Sequence, residues 1–235
     1  HATAEKRYYP LAQEVITGTY VGDYDYVLDL LDRCYFPTRE GVANFHDNFV
    51  DALILAGEEK IAEGKVEQAV TLYKKAFTYP ENHQVFLVDE RATHDAQINY
   101  CLGEAYAALG QDAEAEKYWK LAAEQDYELK GSKDFRYWTG LALERLGRKA
   151  EAEAIFSALV ADGEAAVVTQ HVNFYGAEGT TGVTVDIINS AAYYTQALGH
   201  LGLGHRGKAK RLFAEVQRLK PDHLWANEFM KQFEK

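Results

Sequence analysis

The chain has 235 residues, of which 47% are hydrophobic and 26% are charged, and its formal net charge is −11. This composition is ordinary for a folded globular protein and excludes a largely disordered chain. A surface this acidic repels phosphate backbones, which argues against a nucleic-acid partner. No apolar run approaches the ~20 residues that cross a bilayer, and the four prolines leave room for long helices.

In chain order, the first recurring signal is a set of glycines in short polar turns. These are Gly22, Gly64, Gly110, Gly147 and Gly204. Five residues after each comes a small side chain: Val27, Ala69, Ala115, Ala152 and Ala209. Nine residues after each comes a large one: Leu31, Tyr73, Trp119, Phe156 and Phe213. Because the two offsets differ by four, the small and the large residue share one face of a helix.

Each glycine is suited to end one helix and open a tight turn, since it adopts the left-handed backbone conformation. A small residue then lets the two helices of a hairpin approach, and the aromatic residue fills the space beside it. The pattern therefore predicts five helical hairpins, each with a glycine at its bend.

Around Gly110 the order is Leu102-Gly103, Tyr106, Ala115, Trp119 and Ala122. This order resembles the tetratricopeptide repeat (TPR) nearly position for position. The resemblance implies an all-α fold, a right-handed α-solenoid of about five TPR-like hairpins. We expect residues 1–42 to form a degenerate N-terminal capping hairpin and residues 43–235 to form one continuous repeat domain.

Two segments are longer than the repeat needs. One runs from Pro80 to His94, and the other runs from about Gly163 to Asp186. Loops of this length are uncommon in compact domains and often carry function. We predict two long inter-repeat loops on one edge of the stack.

A wider resemblance begins at Asn44. Its elements include Phe45-His46, Tyr79-Pro80-Glu81-Asn82 and the run from Leu198 to Gly204. Together they are similar to the helical C-terminal part of large bacterial proteins that carry a β-rich domain, itself similar to sugar-processing enzymes. The resemblance implies that the chain is a fragment and that a catalytic domain lies upstream of it.

Candidate catalytic and metal-binding residues are sparse. No histidine pair has the i, i+4 spacing of a helical zinc site, and a turn is expected to separate His200 from His205. Cys34 and Cys101 lie in apolar stretches, which favours buried free thiols and a reducing, cytoplasmic location, although the sequence leaves a disulfide open. We therefore predict no enzyme activity, no cofactor and no metal.

A groove along the first helices of the hairpins is the better candidate site. Tyr100, Tyr137 and Tyr194 each lie ten residues before a turn glycine, where they would form a ladder for a ligand. Packing into the core is the alternative interpretation of the same spacing. The candidate groove residues are Asp51, Ile54, Glu58, Gln97, Tyr100, Glu104, Asp134, Tyr137, Glu144 and Tyr194.

The acidic groove residues favour a basic peptide or protein domain as partner, or a second copy in a homo-oligomer, with binding that weakens in salt. We expect a non-catalytic TPR-like scaffold that mediates protein–protein or intramolecular domain interaction. The alternative is an accessory region that shapes the active site of a carbohydrate-active enzyme. A long β-rich segment upstream would favour that alternative.

Overall fold

The computed structural model describes residues 8–37, 45–83, 94–125, 134–169 and 185–234. Within these ranges the chain forms helices and no strand; Phe36 and His83 make a single isolated β-bridge. The helices are α1 (Tyr8–Val21), α2 (Tyr24–Arg33), α3 (Phe45–Ala62), α4 (Val66–Lys75), α5 (Asp95–Ala108), α6 (Asp112–Ala123), α7 (Arg136–Arg145), α8 (Lys149–Ala166), α9 (Val185–Gly202), α10 (Arg206–Leu219) and α11 (Leu224–Lys231). The prediction of an all-α fold is confirmed.

All five turn glycines adopt a positive φ, between 69° and 82°. At the second turn the amide of Gly64 donates to the carbonyl of Ile61 at 3.0 Å, and the amide of Lys65 donates to that of Lys60 at 2.8 Å. This pair of hydrogen bonds satisfies the last carbonyls of α3 and closes the helix. A Cβ atom on Gly64 would meet nothing within 4 Å. Glycine is therefore required there for its backbone conformation rather than for space.

Inside the hairpins, a second set of glycines lies beneath the predicted aromatic residues. A Cβ atom on Gly103 would overlap the indole of Trp119, and one on Gly140 would overlap the ring of Phe156. Each large side chain thus lies flat against the bare backbone of the neighbouring helix. Phe213 is completely buried, and the Trp119 indole is half-buried and donates to Glu104 at 3.1 Å.

The chain divides into two compact units, residues 1–131 and residues 132–235. In the first, α1 to α6 form three hairpins, and α2 and α4 also pack on the first helix of the next hairpin. In the second, α7 to α10 form two hairpins, and α11 packs along α10. The predicted boundary after residue 42 stays a prediction; α1 and α2 belong to the same compact unit as the next two hairpins.

The second predicted loop begins later than its sequence indicates. Gly163 is not in a loop but is buried near the end of α8, where a Cβ atom would lie 2.6 Å from the carbonyl oxygen of Ala192. Close packing of α8 on α9 keeps this residue helical. Pro221 follows the end of α10 by two residues, and α11 begins after it. Residues 84–93 and 170–184, the middle parts of the two predicted loops, lie outside the described residues.

Both cysteines are buried and neither forms a disulfide. Among the described residues, no helix combines the length and apolar character that a bilayer crossing requires.

Candidate functional site

The candidate groove residues lie on the first helices of four hairpins, except Asp134, which lies two residues before the start of α7. In the N-terminal unit, Ile54 and Gln97 are buried, while Tyr100 is half-buried. In the C-terminal unit, Tyr137 and Tyr194 are only 6% and 8% exposed. A ladder of three exposed tyrosines is therefore not present. Contact of these rings with a ligand stays a prediction, and in the C-terminal unit it would require another part of the chain to move.

That part is α11. The ring of Phe229 lies 5.8 Å from Tyr137 and 6.4 Å from Tyr194, measured between ring centroids. His223, just before the helix, lies 4.4 Å from Tyr194. The two tyrosines are thus covered by the C-terminal helix. The spacing of Trp225 and Phe229 after Pro221 could have predicted a further helix with an aromatic face, since residues four apart share a helix face, but not which residues that helix covers.

The N-terminal unit presents carboxylates on its first helices. Asp47 is exposed, Asp51 is half-buried, and both lie next to the imidazole of His94. The Nε2 atom of His94 is 3.5 Å from a carboxylate oxygen of Asp47. Burial alone would lower the pKa of His94, but the hydrogen bond that its imidazole donates to Asp47 and the charges of Asp51 and Asp47 outweigh burial and raise the pKa. The carboxylates therefore favour a positive charge beside them.

Further along the same helices lie Glu58, which is exposed, and Glu104, which is half-buried. Both are close enough to the thiol of Cys101 to raise its pKa, although burial is the larger cause. Because the charges of both carboxylates act on the thiol of Cys101, α3 and α5 place Glu58 and Glu104 near each other. We call Asp47, Asp51, Glu58 and Glu104 the acidic face.

The acidic candidates of the C-terminal unit are arranged differently. Asp134 is half-buried and accepts a hydrogen bond from the hydroxyl of Thr195 at 2.8 Å. Burial raises the pKa of Asp134, which this hydrogen bond partly opposes. Glu144 is exposed on α7. The structure therefore brings predicted carboxylates together on α3 and α5, whereas Asp134, in the turn before α7, is hydrogen-bonded to Thr195 of α9.

The chain is similar to a solved helical repeat structure. No protein-family model and no curated protein matches the chain. A search of solved structures finds the crystal structure of YrrB, described as a TPR protein with an unusual peptide-binding site. The identity is 16%, the match covers 98% of this chain and 95% of that one, and the TM-score is 0.34. A likeness this low carries no argument about the site, and the wider resemblance to enzyme-linked bacterial proteins stays a prediction.

Sequence reasoning missed a cluster of three buried histidines in the N-terminal unit. His46 stacks on Tyr79 at 4.1 Å, and its imidazole lies close enough to His83 and His94 for their charges to affect it. Burial lowers the pKa of His46 to about 4. The three come from α3, the turn after α4 and the start of α5, so linear spacing could not predict their approach. A neutral His46 in an aromatic setting fits a packing role.

The structure also corrects one expectation about histidine. The Nδ1 atoms of His200 and His205 are 3.3 Å apart, because the Gly204 turn folds the start of α10 back against the end of α9. The turn therefore brings the two imidazole rings together rather than keeping them apart. Within the described ranges, no group of three histidine, cysteine, aspartate or glutamate side chains is arranged to hold a metal ion.

Proposed function

We propose that the protein is a non-catalytic TPR-like scaffold that holds a peptide or protein segment, and that the acidic face accepts a basic segment. The observation that carries this proposal is the grouping of Asp47, Asp51, Glu58 and Glu104 on two adjacent first helices. TPR-like hairpins leave the first-helix face available to a partner, while small and aromatic residues hold the interior.

The surrounding charge supports the same choice of partner. Residues 1–131 include 24 acidic and 12 basic residues, so the N-terminal unit has a net charge of −12. A field of one sign speeds the approach of an oppositely charged partner and rejects like-charged ones. Lysine or arginine side chains of a peptide would reach Glu58, while their alkyl stems could lie against the half-buried ring of Tyr100.

The test is fluorescence anisotropy with a short labelled peptide rich in lysine and arginine, compared with a counterpart in which glutamine replaces each basic residue. We expect the basic peptide to bind and the glutamine peptide not to bind. Replacing both Glu58→Gln and Glu104→Gln should weaken binding by about fivefold to tenfold, because each exposed charge pair contributes up to about 1 kcal/mol. Glutamine preserves the acceptor for the indole of Trp119.

The matched control is the double variant Glu67→Gln and Glu116→Gln, which removes the same charge from the exposed surfaces of α4 and α6. It should change the affinity far less. Raising the salt concentration to about 0.2 M should weaken binding to the wild-type chain, since exposed charges are then screened beyond about 8 Å. Equal losses in the two double variants, or affinity that does not respond to salt, would contradict the proposed site.

A further inference from the structure

The C-terminal helix covers more of the fold than an end cap requires. A cap need only pack on the hairpin before it, which here is α9 and α10. Trp225 of α11 also lies 6.4 Å from Trp138 of α7, in an edge-to-face arrangement. Phe229 lies 6.2 Å from Trp138 and stacks on it. The helix thus reaches back to the first helix of the preceding hairpin.

The central contact is made by Phe229, which is only 4% exposed. Its ring stacks on Phe213 of α10 at 5.2 Å with an angle of 9° between the planes. It also contacts Tyr137 of α7 and Tyr194 of α9. Phe229 therefore fills a space bounded by three helices, as the anchor residue of a bound helix does.

The aromatic residues of this segment follow a helical spacing. Trp225, Phe229 and Phe233 are each four residues apart, so they fall along one face. The ring of Phe233 lies 6.3 Å from Phe213, and the guanidinium of Arg206 lies 4.9 Å from the same Phe233 ring. Peptide helices that bind in grooves present their anchors in this i, i+4 pattern.

The helix α11 is short, and side-chain contacts attach it to the rest of the unit. The helix has eight residues, and isolated helices shorter than about 12 residues are marginal in water. The amide of Gln217 on α10 donates to Asn227 at 2.6 Å, and Asn227 donates to the carbonyl of Pro221 in the preceding turn. Aromatic contacts hold the helix against α7 and α9. Such a helix can exchange with a competitor of the same chemistry.

We propose that the face of α7 and α9 is a helix-binding groove, that α11 is its built-in occupant, and that the external ligand is a partner helix bearing aromatic residues at i and i+4. The proposal rests on the scaffold function, but it concerns a different unit and a different ligand chemistry. A partner helix must displace α11, so the chain's own helix sets the affinity that a partner has to exceed. The groove is therefore selective for strong aromatic helices.

The test uses the full chain and a labelled peptide with the sequence of residues 221–234. Phe229→Ala in the chain removes the anchor of the internal helix and leaves α7, α9 and α10 unchanged. We expect this variant to bind the peptide at least tenfold more tightly than the wild-type chain, since its own helix competes less well. The control variant Lys231→Ala alters an exposed residue of the same helix and should bind the peptide as the wild type does.

Specificity is checked with a second peptide that carries the same Phe229→Ala change, which should not bind. Circular dichroism of the Phe229→Ala chain should show a helix loss no larger than α11 itself. A larger loss would show that α11 is part of the core and would overturn the proposal, as would a folded variant that fails to bind the wild-type peptide. A dimer formed by exchange of α11 between copies would overturn the assignment of a partner helix.

The two proposals fail separately. The peptide of residues 221–234 carries more acidic than basic residues, so it does not suit the acidic face. The double variant Glu58→Gln and Glu104→Gln should leave its binding to the Phe229→Ala chain unchanged. Loss of peptide binding in that background would assign the peptide to the acidic face and overturn the groove.

Discussion

The two compact units use the same hairpin and differ in what they do with its first-helix face. The N-terminal unit has a net charge of −12, whereas the C-terminal unit, with 12 acidic and 13 basic residues, has a net charge of +1. The acidity of the chain is therefore a property of one unit. Part of the balance in the other comes from α10, which carries Arg206, Lys208, Lys210 and Arg211 near its start.

The faces differ in the same way. The helices α3 and α5 carry the acidic face and the half-buried Tyr100, whereas α7 and α9 carry Tyr137 and Tyr194, which α11 covers. The repeat restricts only the residues that let helices approach and turn, so the face outside that interior is free to diverge. Two neighbouring units of one chain can thus acquire different ligand chemistry without any change of fold.

The largest expected effect is on the packing of α8 against α9 in the C-terminal unit. A Cβ atom on Gly199 would lie 2.6 Å from the carbonyl oxygen of Phe156 and 2.8 Å from the amide nitrogen of Val160. Because these are backbone atoms, Gly199→Ala must push the two helices apart, at a cost of about 3 kcal/mol in the free energy of unfolding. Urea denaturation followed by circular dichroism measures this loss.

The control is Gly207→Ala on α10, where a Cβ atom would meet nothing within 4 Å. That change should stabilise the chain by about 0.5–1 kcal/mol, since alanine is the better helix former. Similar effects of the two substitutions would show that α8 and α9 separate more easily than their contact indicates.

The second prediction concerns the effect of pH on the packing of α11. Nδ1 of His223 accepts a hydrogen bond from the amide of Ala226 at 3.3 Å, so the imidazole caps the helix. Burial, followed by the charge of Lys220, lowers the pKa of His223 to about 4. The unfolded chain then binds more protons than the folded one between pH 6.5 and about 4. Over this window acidification should cost on the order of 2 kcal/mol.

Tryptophan fluorescence during a pH titration measures the loss of α11 packing, because Trp138 and Trp225 lie where α11 contacts α7. His223→Asn keeps a capping acceptor that does not titrate and should flatten the response. His205→Asn, at an exposed position, should leave the response in place. His46 also has a pKa of about 4, so the N-terminal unit should lose stability in the same window while His223→Asn leaves that loss unchanged.

The third prediction tests the N-terminal unit. The side-chain amide of Asn82 donates to the carbonyl of Leu31 at 2.8 Å and to that of Cys34 at 2.6 Å. It thereby satisfies the carbonyls at the end of α2. Asn82→Ala should lower the free energy of unfolding by about 1.5 kcal/mol, since the carbonyl of Cys34 loses this donor and that of Leu31 keeps only the contact with His83 at 2.8 Å. Hydrogen exchange should locate the loss in α2, while Glu81→Ala, at an exposed neighbour, should have little effect.

Local features of the fold could be predicted from the sequence, whereas contacts between distant helices could not. The turn glycines predict all five bends because left-handed backbone is a local requirement that glycine meets. Gly103 and Trp119 could be matched because the TPR pattern fixes their separation along the chain. The approach of His46 to His94, and the covering of Tyr137 by Phe229, depend on how helices far apart in sequence pack. Linear spacing carries no record of such contacts, so a groove residue and a covered residue look alike.

The smallest expected effect separates two carboxylates that lie at equivalent positions, thirteen residues before a turn glycine. Asp51 lies beside His94 in the N-terminal unit, whereas Asp134 accepts a hydrogen bond from Thr195 in the C-terminal unit. Since burial already raises the pKa of Asp134, removing this donor should raise it further. Thr195→Val should cost about 1 kcal/mol at pH 7, since the carboxyl group of Asp134 loses its donor.

The cost should be smaller at pH 3, because protonation of Asp134 on acidification removes the charge that the hydroxyl of Thr195 stabilises. Carbon-13 NMR of the carboxyl group measures the pKa, and denaturation at the two pH values measures the stability. Thr195→Ser keeps the hydroxyl and should restore both. If Thr195→Val leaves the pKa of Asp134 unchanged, the hydroxyl of Thr195 does not stabilise the charge of Asp134. The two carboxylates would then be alike, and the divergence between the units would rest on α11 alone.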